Sequence, residues 1–147
     1  MNSFLNLLSI CAFFGLVHPG QSIGVRTKQS VAVKGTLMCD GRPAKGVRVK
    51  LYDIDRLVSM DDKLDDGKTD EYGHFQLSGS TREFSTIDPK LYVYHDCNDG
   101  WKPCQRRFGI MIPDKYVNDG EVAKRIYDAG TIELAGEFSG ETRDCIH

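Results

Sequence analysis

The sequence feature that most restricts the fold of this chain is an alternation of apolar and other residues at every second position. In the stretch VRVKL, residues 47–51, two valines and a leucine alternate with Arg48 and Lys50. Residues 31–37 show the same spacing in a weaker form. A period of two is typical of a β-strand with one buried face. Both stretches are therefore predicted to be strands, and the two cations are expected to face solvent.

Further short apolar segments follow, each bounded by residues that favour turns. They predict strands at 75–77, 91–94, 108–112 and 132–134, with a last one in the tail 141–147. The acidic stretch 53–71 predicts an irregular loop, and residues 113–124 predict a turn or a short helix. Many short strands with little helix predict an all-β fold, an antiparallel two-sheet sandwich of about seven strands.

The beginning of the chain has the composition of a secretory signal peptide. Residues 1–22 contain a short apolar run, and no Lys, Arg, Asp or Glu occurs before Arg26. The run is about half the length that a membrane-spanning helix needs, and the small residues Gly20 and Ser22 suit a cleavage site. We expect residues 1–22 to be removed and residues 23–147 to form one secreted, extracellular domain; an uncleaved apolar anchor is the alternative.

Four of the five cysteines lie after this leader, an even number for a small exported domain. Such cysteines typically form disulfides, and four of them allow three connectivities. A β-hairpin around the short polar loop between Cys97 and Cys104 would bring these two together across its neck. Cys39 would then join Cys145 in the C-terminal tail. We expect this pairing, while the other two connectivities remain compatible with the spacing.

The charge balance and the spacing of polar residues favour neither nucleic-acid binding nor a metal site. The chain has 19 basic and 21 acidic residues, so its overall charge does not favour nucleic acid. Six residues separate Cys97 from Cys104, a wider gap than zinc or disulfide-oxidoreductase pairs commonly have. The acidic clusters 61–66 and 96–99 lack the ligand spacing of a calcium loop. No metal or cofactor is expected.

Seven segments between residues 31 and 147 together form a specific family pattern. They are VAVKGTLMCDGRPAKGVRVKLYD, GKTDEYGHFQLSGS, IDPKLYVYHDCN, PCQRR, IPDKY, YDAGTIEL and GETRDCIH, and they include all four cysteines of the mature chain. This pattern resembles the nematode transthyretin-like family. The resemblance implies a secreted sandwich of two sheets. Most members of that family have no assigned activity. Some are thought to recognise exposed anionic phospholipid at cell surfaces, so the resemblance implies such binding as one possible role.

The wider transthyretin superfamily includes purine-pathway hydrolases, so the resemblance raises an enzymatic alternative. Those enzymes have a His in the first strand, an Arg in the second and a C-terminal Tyr-Arg-Gly-Ser. Here the first strand lacks a His, Arg48 is expected on the solvent face, and the chain ends in RDCIH. His74 and His95 lack an evident orienting partner, because neighbours such as His95 and Asp96 point to opposite faces of a strand. We therefore expect no catalytic residues.

The remaining candidate site is the polar loop YHDCNDGWKPCQRR, residues 94–107. It contains Trp101, the single tryptophan, with Lys102, Arg106 and Arg107 close in sequence. An aromatic side chain flanked by cations suits an anionic headgroup or a receptor surface. We therefore expect binding to an extracellular protein, a cell-surface receptor or an anionic phospholipid surface. Packing of Trp101 against the sandwich is the structural alternative, and carriage of a small hydrophobic ligand is the functional one.

A second aromatic feature lies just before this loop. Tyr92 and Tyr94 alternate with the apolar residues Leu91 and Val93, so they are expected on the opposite face of their strand. There they would extend a binding face or pack on a partner sheet. The sequence gives no indication of the oligomeric state.

Overall fold

The computed structural model describes residues 24–55 and 60–146, so the predicted signal peptide lies outside the described residues. The regular elements are β1 (Thr27–Cys39), β2 (Arg42–Pro43), β3 (Arg48–Asp53), β4 (Asp62–Lys68), β5 (His74–Glu83), β6 (Pro89–His95), β7 (Gln105–Met111), a 3-10 helix (Asp114–Tyr116), β8 (Asn118–Asp119), β9 (Ile126–Glu133) and β10 (Thr142–Asp144). Within these ranges, no helix is long and apolar enough to cross a bilayer.

The strands form two sheets. In the first sheet the long strand β1 pairs with β2, β5, β8 and β9. The second sheet has the strand order β10-β7-β6-β3-β4. All pairings are antiparallel except that of β1 with β9, which is parallel. The predicted all-β sandwich is therefore confirmed, with one parallel pairing that the sequence did not indicate.

The core lies between the sheets and is built from the apolar positions of the alternating runs. The strands β1, β3, β5 and β6 each contribute residues at every second position, as half-buried strands do. A fully buried Val or Leu side chain contributes roughly 1.5–3 kcal/mol by leaving water. The members from the central strands are Val31, Val33 and Leu37 of β1, Val49 and Leu51 of β3, Leu91 and Val93 of β6, Phe75 and Leu77 of β5, and Phe108 of β7.

The acidic stretch predicted to be an irregular loop contains the edge strand β4. It reads DKLDDGK, a composition with low β-propensity, and it pairs with β3 through an irregular register between Leu51 and Tyr52. An edge strand can keep its charges hydrated or paired, and such charges also discourage pairing with a further chain. Asp66, for example, accepts a hydrogen bond from Arg48 on β3 at 3.1 Å. Tertiary pairing has here overridden local propensity.

Candidate functional site

The structure joins the four cysteines in a pairing different from the expected one. Cys39 bonds Cys97, with their Cα atoms 5.8 Å apart, and Cys104 bonds Cys145, with their Cα atoms 4.3 Å apart. The prediction of Cys97–Cys104 and Cys39–Cys145 is therefore wrong, although the same four residues are involved. One disulfide now links the ends of β1 and β6 in different sheets, and the other ties the tail after β10 to the residue before β7.

The reason lies in the backbone between β6 and β7. The last paired residues of this hairpin are His95 and Arg106, so the chain has left the ladder before it reaches either cysteine. Cys97 is buried in the core, where Cys39 at the end of β1 also packs. Cys104 has a left-handed backbone with φ of 68° and bonds Cys145 after β10. Hairpin geometry alone could not reveal this change of direction.

Trp101 lies on the loop between these two disulfides and is fully exposed, at 103% of its reference area. The alternative of a tryptophan packed against the sandwich edge is therefore wrong. The loop itself is a pair of tight turns: the amide of Asp99 donates to the carbonyl of Asp96 at 3.1 Å, and the amide of Lys102 donates to that of Asp99 at 3.3 Å. Gly100 supplies a left-handed position with φ of 59°.

A buried carboxylate fixes the loop to the C-terminal strand. The side chain of Asp99 points inward and accepts hydrogen bonds from the guanidinium of Arg143, one of them at 2.8 Å. These hydrogen bonds hold the pKa of Asp99 below its usual value, so the carboxylate remains charged. Arg143 also donates to the carbonyl of Cys104 at 3.1 Å. The loop is thus held by two disulfides and by this ion pair.

Arg106 does not reach the loop surface. It shares the inner face of β7 with Phe108 and is only 7% exposed. Its guanidinium donates to both carboxylate oxygens of Glu141, at 2.6 and 2.9 Å, and to the carbonyl of Cys97 at 2.9 Å. Hydrogen bonding from Arg106 lowers the pKa of Glu141. Further bonds go to the carbonyls of Leu134 and Gly136, so Arg106 organises the chain after β9.

Arg107 points to the opposite face of β7 because sequence neighbours in a strand alternate. There it forms an ion pair with Asp144 at 3.0 Å and lies 4.8 Å from the centre of the Tyr92 ring. Lys102 remains exposed beside Trp101. The predicted grouping of three cations around Trp101 is therefore not formed: one cation stays on the loop, one is internal and one belongs to the outer face of the second sheet.

The two histidines considered for acid–base chemistry lie in unrelated surroundings. His95 is 1% exposed, packs edge-on against Phe108 and accepts a hydrogen bond at Nδ1 from the amide of Cys97 at 3.2 Å. Burial, and then the neighbouring charge of Arg106, lowers the pKa of His95. His74 is exposed on the first sheet, 3.9 Å from Asp70. Among the described residues, no cluster of His, Cys, Asp or Glu is arranged to hold a metal ion.

The outer face of the second sheet holds a group that sequence reasoning missed. Tyr92 and Tyr94 lie on this face, as alternation predicts. Lys50 also lies there, but the expectation that it faces solvent is wrong, because it is only 6% exposed. Its Nζ lies 5.2 Å from the centre of the Tyr94 ring. Alternation assigned the correct face, whereas the burial depends on cross-strand neighbours that only the register reveals.

The tyrosines of this face are closely packed with cations. The Tyr92 ring contacts Lys90 and Arg107, at 4.9 and 4.8 Å from its centre, and meets the Tyr52 ring edge-on at 5.9 Å. Gly109 on β7 lies directly opposite Tyr92 in the ladder. A Cβ at position 109 would approach the Tyr92 ring to 3.0 Å, so the glycine allows the ring to lie across β7.

A two-sheet sandwich with two disulfides, one of which joins the sheets, is the class of protein that these observations define: an all-β domain of transthyretin type. The chain belongs to the transthyretin-like family, whose family model matches residues 34–113. This stretch runs from β1 to the end of β7 and contains Lys50 and Trp101.

Proteins of Caenorhabditis elegans are similar to this chain over most of its length. Transthyretin-like protein 5 is 58% identical over 119 residues, which are 81% of this chain and 86% of that protein. Transthyretin-like protein 2 is 47% identical over 148 residues, which are 95% of this chain and 100% of that protein. Transthyretin-like protein 33 is 51% identical over 119 residues, 81% of this chain and 83% of its own. None of these three names is that of an enzyme.

Proposed function

We propose that this chain is a secreted, non-enzymatic binding protein that engages an extracellular partner protein or a cell-surface receptor through Trp101. The full exposure of Trp101 carries the proposal. Tryptophan is among the most buried residue types on average, and leaving its large apolar surface in water is unfavourable. It is also enriched among the residues that dominate the affinity of protein interfaces. An exposed tryptophan on a fixed loop is therefore well suited to anchor a partner.

The rigidity of the loop supports the same proposal. Cys97 and Cys104 flank the loop, and each is bonded to a cysteine outside it. The Asp99–Arg143 pair fixes the loop between the disulfides. A loop that is already ordered loses little conformational entropy when it binds, so more of the contact energy of Trp101 is available for affinity.

Charge near the loop favours a protein partner over an anionic phospholipid surface. A lipid-binding loop gains about 1 kcal/mol from each cation close to the membrane. Arg106 is internal and Arg107 is paired with Asp144 on the outer face of the sheet, which leaves Lys102 next to Trp101. One cation supports little attraction to lipid, whereas an aromatic anchor with a mixed polar rim is typical of a protein interface.

The compartment is inferred from the disulfides and the leader. Disulfides persist in oxidising environments such as the extracellular space, and this domain has two of them. Residues 1–22 have the composition of a signal peptide. Both features support export of the chain.

Carriage of a small hydrophobic ligand, the alternative, has less support. The space between the two sheets is filled by the core side chains, whereas the cavities among the described residues lie at the surface and have charged residues in their walls. An apolar ligand normally occupies a concave site lined mainly by apolar side chains. No such site supports this alternative in the part of the chain that the structure describes.

The proposal is tested by capture from the extracellular fluid and cell membranes of the source, with the disulfide-bonded mature chain as bait. Trp101→Ala should weaken binding of the captured protein by about 30-fold, since an interface anchor typically contributes about 2 kcal/mol or more. Phe84→Ala is a matched control, because Phe84 is also an exposed aromatic residue but lies in the connection between β5 and β6. It should leave binding unchanged.

Vesicles containing phosphatidylserine form the second arm of the same experiment. The proposal expects weak vesicle binding that does not depend on Trp101. Strong vesicle binding that Trp101→Ala abolishes would replace the protein partner by a lipid surface. If the captured protein binds Trp101→Ala as tightly as the parent chain, the loop is not the binding site.

A further inference from the structure

Lys50 is only 6% exposed and forms no ion pair with a carboxylate among the described residues. It lies on the outer face of the second sheet, on β3, which pairs with β4 on one side and β6 on the other. Its contact with the Tyr94 ring is a cation–π interaction at 5.2 Å. Burying a charge is costly unless an opposite charge or several hydrogen bonds compensate it. The Tyr94 ring compensates part of the charge. Its face offers no oxygen that could accept a hydrogen bond from the Lys50 ammonium.

Two acidic residues near Lys50 are engaged by other cations. Asp66 lies opposite Lys50 in the ladder, but its carboxylate pairs with Arg48 at 3.1 Å and Lys63 at 3.4 Å. Asp144 pairs with Arg107 at 3.0 Å. The register that places Asp66 across from Lys50 therefore does not pair the two charges.

An open cavity of about 280 Å³ lies over this position, and both charged residues and tyrosines line it. Lys50 and Arg107 contribute cations to its wall. The tyrosines are Tyr52, Tyr92 and Tyr94. A tyrosine hydroxyl is protonated at neutral pH and can donate a hydrogen bond, and burial raises the pKa of Tyr94 further. The wall also contains two carboxylates, Asp61 and Asp144, and the side chain of Ile146.

We propose that this cavity binds a tetrahedral oxyanion, phosphate or sulfate, through Lys50, the tyrosine hydroxyl groups and Arg107. The anion supplies the charge that Lys50 lacks, and it accepts the hydrogen bonds that the hydroxyl groups donate. The face as a whole favours an anion, because its cations outnumber its carboxylates. The cations are Arg48, Lys50, Lys63, Lys90 and Arg107, and the carboxylates are Asp61, Asp66 and Asp144.

Both carboxylates in the wall have hydrogen-bonding partners. Asp144 is neutralised by Arg107, and Asp61 accepts a hydrogen bond from the amide of Asp55 at 3.2 Å. A cavity of about 280 Å³ accommodates one oxyanion with a small substituent. The site therefore suits a free ion or the end group of a larger molecule, such as the phosphate of a lipid headgroup.

The test is calorimetric titration of the disulfide-bonded mature chain with inorganic phosphate and with inorganic sulfate. Saturable binding is expected, and Lys50→Met should weaken it about tenfold or more, because charged hydrogen bonds are lost while the apolar stem is kept. Lys34→Met is the matched control: Lys34 lies on β1 in the other sheet, paired with Asp128 at 3.9 Å. It should not change binding.

A nuclear magnetic resonance titration of the parent chain keeps the proposal testable if Lys50→Met does not fold. Phosphate should shift the ring signals of Tyr92 and Tyr94 and leave those of Trp101 unchanged. No saturable binding by the parent chain, or equal binding by Lys50→Met, would refute the site. So would shifts confined to surface residues elsewhere.

Two further arms separate the sources of the phosphate. Glycerol phosphate represents a soluble ligand, and vesicles containing phosphatidic acid represent a headgroup. If glycerol phosphate or the vesicles bind the parent chain and not Lys50→Met, the site is supported. The ligand that binds then identifies the source of the phosphate. The inference does not rest on the proposed role of Trp101: Trp101→Ala should retain phosphate binding, so failure of one proposal leaves the other standing.

Discussion

Two buried cations of the second sheet, Arg106 and Lys50, differ in how their charges are compensated. Arg106 faces the space between the sheets, where a carboxylate and three backbone carbonyls accept its hydrogen bonds. Lys50 faces outward and contacts the ring of Tyr94. Both are less than a tenth exposed. The first cation has the full set of acceptors expected of a structural residue, while the second faces a cavity and forms no ion pair with a carboxylate of the described residues.

The comparison shows that burial alone does not separate structural from functional charges. What separates them is whether the buried charge has partners. A charge with an opposite charge and hydrogen-bond partners holds the fold together, and one without them can bind a ligand. Substitution of each cation should therefore change the stability of the folded chain by different amounts.

The largest effect is expected from Arg106→Met. This change leaves the carboxylate of Glu141 and several carbonyls without their donor in a largely buried position. Breaking one partner of a buried ion pair typically costs about 3–5 kcal/mol. Urea unfolding followed by circular dichroism should show a loss in this range. A loss below about 1 kcal/mol would mean that the cluster around Glu141 contributes little to the fold.

A smaller effect is expected from acidification, through His95 beside Arg106. Burial and the charge of Arg106 lower the pKa of His95 in the folded chain, so the unfolded chain takes up a proton first as the pH falls. The free energy of unfolding should therefore decrease as the pH is lowered from about 7 through the unfolded pKa of about 6.5. It should level off only below the folded pKa.

Urea unfolding at a series of pH values measures this dependence. His95→Asn retains an acceptor for the amide of Cys97 but does not titrate, so its stability should vary less with pH over the same window. His74→Asn is the control, since His74 is exposed on the first sheet and should leave the pH dependence unchanged. An unaltered pH dependence in His95→Asn would assign the effect to other groups.

The smallest effect is expected from Lys50→Met in buffer without phosphate or sulfate. Removing a buried charge that lacks a carboxylate partner, while keeping an apolar stem of similar length, should leave stability within about 0.5 kcal/mol of the parent or increase it. Added phosphate should stabilise the parent chain and not the variant, because ligand that binds the folded state raises its stability. A loss comparable with that of Arg106→Met would show that Lys50 is structural after all.

The sequence was a good guide where a pattern depends on local spacing. Alternation located the core positions of β1, β3 and β6, and it placed Tyr92 and Tyr94 on the outer face. It also contains the reason why Arg106 and Arg107 separate, since neighbours in a strand point to opposite faces. The prediction that both lie around Trp101 assumed that residues close in sequence are also close on the surface. In a strand, adjacent residues point to opposite faces, so this assumption fails.

Features that depend on contacts distant in sequence could not be predicted. β4 forms because β3 offers an edge, despite the poor β-propensity of DKLDDGK. The disulfide pairing follows from the left-handed backbone at Cys104 and from the position of Cys39 in the other sheet. The burial of Lys50 follows from the register of β3 with β6. Each of these features can be predicted only when the neighbours of a residue across the sheets are known.

The two disulfides also determine how the molecule would carry a mechanical load. A partner that pulls on Trp101 pulls on both ends of its loop. At one end the force passes through Cys97 and Cys39 to β1 of the first sheet, and at the other through Cys104 and Cys145 to the tail. Tension at a single side chain would thus be passed by covalent bonds to both sheets.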